Sequence, residues 1–215
     1  MITRLFLLYQ YLPYVVLISF FLGTLPSGPV VARLRGVDLR TVGSGNVGAT
    51  NVYRALGRNW AIVVFLADTL KGFLPVVGAG YFLGEPVVGM LAGICAVSGH
   101  VFNPLYDFRG GKGIATSFGA MLGIFPLAAL LSLITWAMVT YQTRIVSLAG
   151  ICASLSLPFF TLLVTWGAPY TRSALLAAFI LSALTLFAHR ENIKRLLSGE
   201  EKKIGGEESK GQAEE

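Results

Sequence analysis

Three short polar clusters interrupt a chain that is otherwise strongly apolar. They read G-S-G-N-V-G-A-T-N-V-Y-R (43–54), G-H…F-R-G-G-K-G-I-A-T (99–116) and H-R-E-N-I-K-R-L-L-S-G-E (189–200). Glycine allows backbone N–H groups to turn toward an anion, and lysine or arginine side chains neutralise its charge. The residue types of these clusters therefore favour the binding of phosphate groups.

The first cluster carries more hydrogen-bonding groups than a loop needs. Its polar side chains are those of Ser44, Asn46, Thr50, Asn51 and Arg54. If a helix begins near residues 49–50, Asn51 and Arg54 share one face of it, and arginine suits bidentate recognition of phosphate. A helix N-cap at Asn46 or Thr50 is the structural alternative, but a cap needs only one such side chain. The cluster is therefore predicted to hold a polar ligand.

The second cluster places a glycine-rich basic loop directly before an apolar helix. Arg109, Gly110, Gly111, Lys112 and Gly113 precede the apolar run that begins at residue 114. The positive end of the helix dipole and the charge of Lys112 would both attract a phosphate there. The spacing of a Walker A loop is absent. A flexible basic turn on the cytoplasmic side of a membrane is the structural alternative.

The two histidines and one pair of ionisable residues inside an apolar run are further candidates. His189 and Asn192 share a helical face, which makes His189 a candidate base, phosphate ligand or partner of the helix dipole. His100 lies within an apolar run, where a core histidine is the structural alternative. Asp68 and Lys71 are three residues apart and are predicted to pair, either as a structural element or to shape the site.

Composition assigns the chain to the membrane proteins. Of its 215 residues, 54% are hydrophobic and 13% are charged, whereas soluble domains have about 25% charged residues. The length allows one domain, predicted over residues 1–199, and the charged residues 200–215 are predicted to form a disordered tail. The net charge is +6, but the basic residues are spread over short loops, which argues against a nucleic-acid partner. Cys95 and Cys152 have neither metal-ligand nor disulfide spacing, so no metal site is predicted.

Six apolar runs are candidates for membrane crossings. They occupy about 9–33, 60–82, 87–106, 114–142, 145–166 and 172–188. The first run is predicted to be a retained helix, because it is too long for the core of a signal peptide. Lysine and arginine prefer cytoplasmic loops, so the basic segments at the three polar clusters should all lie in the cytoplasm. An even number of crossings must then separate them.

The run 114–142 decides the number of crossings. A split between Gly123 and Pro126 gives this run two crossings, whereas a hairpin that does not cross gives it none. The split predicts an all-α polytopic protein with seven transmembrane helices, the N-terminus outside and the C-terminus in the cytoplasm. Residues 114–125 are short for a full crossing, so one or two of the seven helices are predicted to be short or re-entrant.

The motifs resemble those of the PlsY family of bacterial membrane acyltransferases over about residues 10–200. The matching pieces are G-S-G-N-V-G-A-T-N-x-x-R, D-x-x-K-G at 68–72, G-H at 99–100, F-x-G-G-K-G-x-A-T at 108–116 and H-R-x-N-I-x-R-L-x-x-G-x-E at 189–201. The resemblance implies that an acyl group passes from a fatty acyl phosphate to glycerol 3-phosphate. The products are 1-acylglycerol 3-phosphate (lysophosphatidic acid) and phosphate, and the step is the first acylation of phospholipid synthesis.

The resemblance also carries expectations about location and partners. It implies a seven-helix fold in the bacterial inner membrane, an active site that faces the cytoplasm, no cofactor and no direct use of acyl-CoA. A soluble partner enzyme that supplies the acyl phosphate is implied as well. The H-x-x-x-x-D motif of other glycerol-phosphate acyltransferases is absent, because Leu105 follows His100 and Lys194 follows His189 at that distance.

Matching motif positions gives the residue roles that the resemblance implies. The catalytic candidates are His189, Lys112, Ser44 and Asn192. The candidates for binding the two substrate phosphates are Arg54, Arg40, Asn46, Thr50, Asn51, Gly110, Gly111 and Gly113. The supporting residues are Asp68, Lys71, Thr24 and His100. The hydroxyl proton is predicted to pass to the donor phosphate without a covalent enzyme intermediate, and His189 as the general base is the alternative.

A transporter of an anionic phosphorylated metabolite is the alternative from another functional class. It would need polar groups near the bilayer midplane and, commonly, internal repeats. The sequence shows no repeat, and the polar clusters fall on one predicted side of the membrane. Chemistry at the membrane interface is therefore the favoured interpretation.

Overall fold

The computed structural model describes the chain from Ile2 to Gly205. Within these residues the chain forms ten α-helices and no β-strand. The helices are α1 (Ile2–Gly23), α2 (Ser27–Leu34), α3 (Ala49–Leu56), α4 (Arg58–Leu83), α5 (Pro86–Val101), α6 (Ile114–Ile124), α7 (Pro126–Thr143), α8 (Val146–Thr165), α9 (Thr171–Ala188) and α10 (Arg190–Leu197).

Five stretches of the described chain are long and apolar enough to cross a membrane. They are Gln10–Leu34, Arg58–Leu83, Pro86–Tyr106, Val146–Thr165 and Thr171–Ala188. The prediction of an all-α membrane protein with several spans is confirmed at this level. Helix α7 has 18 residues, as many as α9. Helix α6 has only 11 residues, a length of about 16 Å, so it is short, as predicted.

The two faces of α8 differ in the size of their apolar side chains. Leu155, Phe159 and Leu163 recur at every fourth residue and are each more than half exposed. Ala149 and Ala153 lie on the buried side. Large apolar groups on the outside suit lipid, and small residues on the inside let neighbouring helices approach closely.

Helices α4 and α6 approach one another through glycine. A side chain on Gly72 would overlap the carbonyl group of Thr116, and one on Gly119 would overlap the carbonyl group of Thr69. The two glycines therefore allow direct backbone contact. The short helix α6 is fixed along α4 by this contact, which positions the basic loop that precedes it.

The first apolar run is two helices and not the single helix that the sequence predicted. The chain breaks between α1 and α2, where the carbonyl oxygen of Thr24 accepts a hydrogen bond from Asn103 at 2.8 Å. The carbonyl oxygen of Leu25 accepts one from Lys71 at 3.0 Å. Backbone groups released by a helix break need such partners inside a membrane. The break is therefore held open by side chains from α4 and from the segment after α5.

The run 114–142 divides at Phe125, which ends α6 and begins α7. The break lies in the interval between Gly123 and Pro126 that the sequence indicated. Helix α5 ends at Val101, earlier than residue 106, where its apolar run ends. A short 3-10 turn over Pro104–Tyr106 follows, and the side chain of Asn103 caps it.

The predicted tail is ordered at its start. Glu201 packs against α8 and α10, as described below, and the N–H of Ile204 donates to the carbonyl oxygen of Arg144 at 2.8 Å. The carboxylate of Glu201 has three hydrogen-bonding partners, so the described start of this segment is held against the helices. The rest of the predicted tail, residues 206–215, lies outside the described residues.

Candidate active site

One cleft brings the three polar clusters together. Its polar wall consists of residues from the loop before α3, α3 itself, the loop before α6, the start of α8 and the segments on either side of α10. These residues are Ser44, Asn46, Thr50, Asn51, Arg54, Lys112, Gly113, Ser147, His189 and Glu201. The cleft and its open mouth together contain about 1170 Å³ of empty space. The cleft therefore gathers polar and charged side chains from all three clusters in one place.

Asn51 holds the first cluster in shape. Its side chain is 1% exposed, and its amide nitrogen donates to the carbonyl oxygens of Leu39 at 3.0 Å and Val42 at 3.1 Å. Its amide oxygen accepts from the N–H of Ser44 at 2.9 Å. These hydrogen bonds all stay within the loop before α3. Asn51 therefore fixes the shape of this loop at the cleft wall, and its role in binding phosphate stays a prediction.

The other polar residues of the first cluster remain at the cleft wall. Asn46 turns the loop by accepting a hydrogen bond from the N–H of Gly48 at 3.0 Å. Helix α3 then begins at Ala49, as predicted, and Thr50 and Arg54 line the cleft. Arg54 is half-buried. The first turn of α3 and the guanidinium group together bring positive charge to this wall.

The glycines of the second cluster pack against the end of α5. The N–H groups of Gly110 and Gly111 donate to the carbonyl oxygens of Val101 at 3.0 Å and His100 at 3.1 Å. A side chain on either glycine would overlap His100. The N–H groups of Gly110 and Gly111 are therefore engaged within the protein, and their role in binding phosphate stays a prediction. Gly113 lines the cleft and begins α6 at a φ of +80°, which favours glycine.

Lys112 brings the charge of this loop into the cleft. Its side chain is half-buried and shares the polar wall with Arg54. Burial lowers the pKa of Lys112 to about 8, an effect that Glu201 opposes and that the charges of Arg195 and Arg54 increase. Lys112 is therefore mostly protonated at pH 7 and loses its proton as the pH rises past 8. Burial and the two arginine charges therefore outweigh Glu201, and a bound anion would favour the charged lysine further.

His189 lies at the junction of α9 and α10 and is 1% exposed. Its Nδ1 is 2.7 Å from the carbonyl oxygen of Thr185. Because a carbonyl oxygen only accepts, Nδ1 carries the proton and Nε2 keeps a lone pair. Burial and the charge of Lys112 lower the pKa of His189 to about 4, against smaller opposing effects of Thr185 and Glu201. The imidazole is therefore neutral at physiological pH and offers an acceptor.

Glu201 is a cleft residue that the sequence analysis missed. One of its carboxylate oxygens accepts from Ser147 at 2.7 Å and from Asn192 at 2.6 Å. The other accepts from Nε of Arg195 at 2.8 Å. Burial opposes the charge of Glu201, but these hydrogen bonds and the Arg195 charge outweigh burial and hold its pKa below the ordinary value.

The position of Asn192 follows from that of Glu201. Asn192 is 3% exposed and is not part of the cleft lining. Asn192 shares the helical face of His189, as predicted. It is linked to the cleft only through its hydrogen bond to the carboxylate of Glu201. Asn192 thus contacts Glu201 behind the cleft wall, and its catalytic role stays a prediction. Ser147, at the start of α8, was also missed, because a single serine in an apolar run carries no motif.

Asp68 and His100 lie at the side of the cleft nearest α4 and α5. Asp68 forms a buried salt bridge of 2.8 Å with Lys71 and accepts a hydrogen bond from Ser27. The predicted pairing is present, and it ties α2 to α4 while Asp68 faces the cleft. His100 is 6% exposed and lines the cleft as well.

Arg40 and Thr24 also lie outside the cleft lining. Arg40 is exposed and forms a 3.1 Å ion pair with Asp38, in a separate shallow depression beside Tyr106. The charge of Arg40 is thus directed at Asp38, and its role in binding the substrate phosphates stays a prediction. The hydroxyl of Thr24 donates to the carbonyl oxygen of Phe21 at 2.7 Å. Thr24 therefore stabilises the break between α1 and α2.

The cleft continues from its polar wall into an apolar arm between α6, α7 and α8. The apolar arm is lined by Phe118, Met121, Ala129, Leu133, Trp136 and Leu157. A molecule with phosphate at one end and a hydrocarbon chain at the other would match this division. No group of three or more His, Cys, Asp or Glu side chains within residues 2–205 is arranged to hold a metal ion.

Known proteins with similar sequences share one description. The family model for glycerol-3-phosphate acyltransferase matches residues 13–199. The glycerol-3-phosphate acyltransferase of Aquifex aeolicus (strain VF5) is 43% identical over 189 residues, which cover 87% of this chain and 96% of that protein. The enzyme of the same name from Geotalea daltonii is 43% identical over 184 residues, which cover 85% of this chain and 92% of that protein.

Solved structures with a similar fold carry the same description. One is the crystal structure of PlsY (YgiH), an integral membrane glycerol 3-phosphate acyltransferase, in its glycerol 3-phosphate form. It has a TM-score of 0.83 and 42% identity, over 90% of this chain and 96% of that chain. The lysophosphatidic acid form of PlsY has a TM-score of 0.81 and 40% identity, over 92% and 97% of the respective chains.

Proposed function

The chain belongs to the PlsY family of glycerol-3-phosphate acyltransferases, and on this premise we propose that its cleft uses an acyl phosphate as the acyl donor. One observation carries the proposal. Residues from three distant motifs, Arg54, Lys112 and His189, line a single cleft that continues into an apolar arm. The cleft offers positively charged side chains for two phosphate groups, and its apolar arm offers a place for one hydrocarbon chain.

Family membership settles the choice of functional class. The protein is a multi-pass membrane acyltransferase that acts on glycerol 3-phosphate, and its reaction belongs to phospholipid synthesis. The resemblance found in the motifs is confirmed, and the transporter alternative is not retained. The glycerol 3-phosphate and lysophosphatidic acid forms of PlsY support the same substrate and product for this chain.

The two anions in the proposed reaction need positive charge held in a fixed arrangement. Acyl phosphate and glycerol 3-phosphate repel one another, and Arg54 and Lys112 would offset that repulsion on the polar wall. The lowered pKa of Lys112 reflects burial and nearby cations, both of which a bound phosphate counteracts. The acyl chain would lie in the apolar arm, whose walls are mainly hydrocarbon and aromatic side chains.

The proton of the attacking hydroxyl passes to the donor phosphate in the proposed mechanism. The glycerol 3-phosphate oxygen bonds to the acyl carbon, the bond from that carbon to the phosphate oxygen breaks, and the proton leaves on the departing phosphate. Phosphate is a good leaving group, so no covalent enzyme intermediate is needed. A histidine with a pKa of about 4 is a weak base at pH 7. Neutral His189 instead accepts a hydrogen bond at Nε2 and orients the hydroxyl.

The role of His189 can be tested by pH dependence. We expect His189→Ala to lower kcat by about tenfold, because it removes one neutral hydrogen bond. The ratio of wild-type to variant rates should stay constant from about pH 5.5 to 7, because the imidazole is already neutral there. Comparing the two proteins at each pH cancels the titration of the substrates. His189 would instead be identified as the general base by two results together: a variant kcat more than about 100-fold below that of the wild type at pH 7, and a ratio of wild-type to variant rates that falls as the pH is lowered.

The donor can be tested with purified protein in detergent. We expect lysophosphatidic acid and phosphate in equal amounts from palmitoyl phosphate and glycerol 3-phosphate, with no phosphate release when glycerol 3-phosphate is omitted. Palmitoyl-CoA and palmitoyl-acyl carrier protein, each offered alone, should give no product. Product from either thioester in the absence of acyl phosphate would overturn the proposed donor. In the cell the donor would come from a soluble enzyme that makes acyl phosphate.

The proposed topology has seven crossings, with the N-terminus outside and the cleft facing the cytoplasm of a bacterial inner membrane. Lys112 precedes α6 and Ser147 begins α8, yet both belong to the polar wall. Helices α6 and α7 together must therefore leave this end of the molecule and return to it. The ring of Phe125, at their corner, stacks on Tyr170 before α9 with 6.0 Å between centroids. This contact supports a corner at the level of the loop between α8 and α9.

Cysteine labelling tests this topology. In a background with Cys95→Ala and Cys152→Ala, we expect Glu85→Cys to react with a membrane-impermeant maleimide in intact cells. Arg144→Cys should react only after the membrane is permeabilised, because it lies at the polar end of the helices. The reverse pattern would invert the orientation. Labelling of both positions in intact cells would contradict an even number of crossings between the basic loops.

A further inference from the structure

Four buried hydroxyl groups in the described chain have no hydrogen-bonding partner. They belong to Thr116, Ser117, Ser132 and Thr140. Several other helical hydroxyls are satisfied by the carbonyl group four residues earlier, as Ser154 is by Gly150 and Thr161 is by Leu157, both at 2.8 Å. A buried hydroxyl without a partner costs folding free energy, so each of the four calls for an explanation.

Two of these residues line the cleft. Ser117 and Ser132 belong to its lining, and their side chains are 7% and 8% exposed. Ser117 lies one turn into α6, close to the end that follows Lys112. The two serines are seven or eight residues from Phe125 along their helices, or about 10 to 12 Å. They therefore mark similar depths on the two helices that enclose the apolar arm.

The surroundings of the two serines narrow the class of ligand. Phe118 and Leu133, their next neighbours along the chain, line the apolar arm. A fatty acyl group in this arm has a single polar atom near its head, the carbonyl oxygen. That oxygen has two lone pairs and no proton, so it needs donors. A hydroxyl with no partner in the protein can supply one.

We propose that the hydroxyls of Ser117 and Ser132 donate hydrogen bonds to the carbonyl oxygen of the acyl group. This inference rests on the proposed use of acyl phosphate. The carbonyl group directly follows the phosphate, which matches the position of Ser117 one turn beyond Lys112. When the glycerol 3-phosphate oxygen attacks, negative charge grows on the carbonyl oxygen and both hydrogen bonds strengthen. The two serines thereby hold the reacting carbon between the phosphate-binding cations and the apolar arm.

Two stable inhibitors separate binding of the carbonyl from binding of the phosphate and the chain. One is a palmitoyl phosphonate in which CH₂ replaces the bridging oxygen and the carbonyl remains. The other is hexadecyl phosphate, which has no carbonyl. We expect Ser117→Ala and Ser132→Ala each to raise Ki for the phosphonate by about three- to tenfold. Ki for hexadecyl phosphate should change by less than about twofold.

Thr116→Val is the matched control. Thr116 also has a buried hydroxyl without a partner, but it is not part of the cleft lining, and its carbonyl group lies against Gly72. Neither Ki should change in this variant. Ser117→Thr keeps a hydroxyl and should retain the wild-type Ki for the phosphonate. Melting temperatures should not fall for Ser117→Ala or Ser132→Ala, because each removes an unsatisfied group.

Equal loss of affinity for both inhibitors would overturn the inference, because it would show that the serines only shape the cleft. Unchanged Ki values in both alanine variants would overturn it as well. In either case the wild-type protein still turns over acyl phosphate, so the proposed function stands. Failure of the proposed function looks different, because the wild-type protein then neither uses acyl phosphate nor binds either inhibitor.

Discussion

Lys112→Ala lowers kcat/KM by about 10²- to 10³-fold, the loss expected when one charged group is removed from a site that stabilises developing negative charge. The variant should remain folded. Lys112 is half-buried, and burial together with the charges of Arg195 and Arg54 outweighs the favourable charge of Glu201, so its removal should not lower the free energy of unfolding. An activity loss without a fall in melting temperature is typical of a functional residue and not of a structural one.

Two further variants sharpen this prediction. Lys112→Arg keeps a positive charge and should recover part of the activity. The wild-type kcat/KM should fall above about pH 8 as Lys112 loses its proton, and the arginine variant should lack this fall because arginine stays charged. Arg40→Ala is the control, since this exposed residue pairs with Asp38 outside the cleft. An Arg40 effect as large as that of Lys112 would contradict the position of the phosphate site.

The helices could be predicted from the apolar runs, whereas the break after α1 could not. Proline is not a sufficient signal, because Pro13, Pro75 and Pro158 all lie inside continuous helices. The break depends on donors from Lys71 and Asn103, which are 46 and 79 residues away from the carbonyl groups they contact. Partners at that separation are set by the packing of helices, which local sequence does not show.

The motifs predicted which loops meet, but not which atoms face the ligand. A glycine-rich loop suits an anion equally well whether its N–H groups are available or engaged. Gly110 and Gly111 use theirs on α5, which depends on where α5 ends. Asn51 likewise has the residue type of a phosphate ligand but is used within its loop. Lys112 and His189 do line the cleft, as predicted. Their side chains extend well beyond the backbone, so they can reach the cleft even where the neighbouring backbone groups are engaged elsewhere.

Glu201 shows how composition can hide a site residue. Residues 200–215 are rich in charge and glycine, which is typical of disorder. The third motif nevertheless ends at Glu201, and its carboxylate is the common acceptor for Ser147, Asn192 and Arg195. The spacing within the motif was the informative signal, and the average composition of the segment was not.

Glu201→Gln is therefore expected to lower kcat/KM by about 10- to 100-fold and to reduce the melting temperature. An amide cannot accept from all three donors, and its NH₂ group would face either Arg195 or the pair Ser147 and Asn192. One buried donor is then left unsatisfied, at a cost of about 1–3 kcal/mol. Activity assays and thermal unfolding in detergent measure the two effects. Glu200→Gln is the matched control, because Glu200 is exposed and accepts only from the exposed Ser198 in the described chain.

The pH profile of Glu201→Gln distinguishes an electrostatic role from a purely structural one. Glu201 raises the pKa of Lys112, which lies at about 8 in the wild-type cleft. Loss of the carboxylate charge must therefore move this pKa downward, so the fall of kcat/KM at alkaline pH begins at a lower pH in the variant. A carboxylate that only braced α10 against α8 would reduce activity equally at every pH. An unchanged alkaline limb would thus assign Glu201 to the scaffold, whereas a shifted limb shows that the segment after α10 sets the charge of the phosphate-binding lysine.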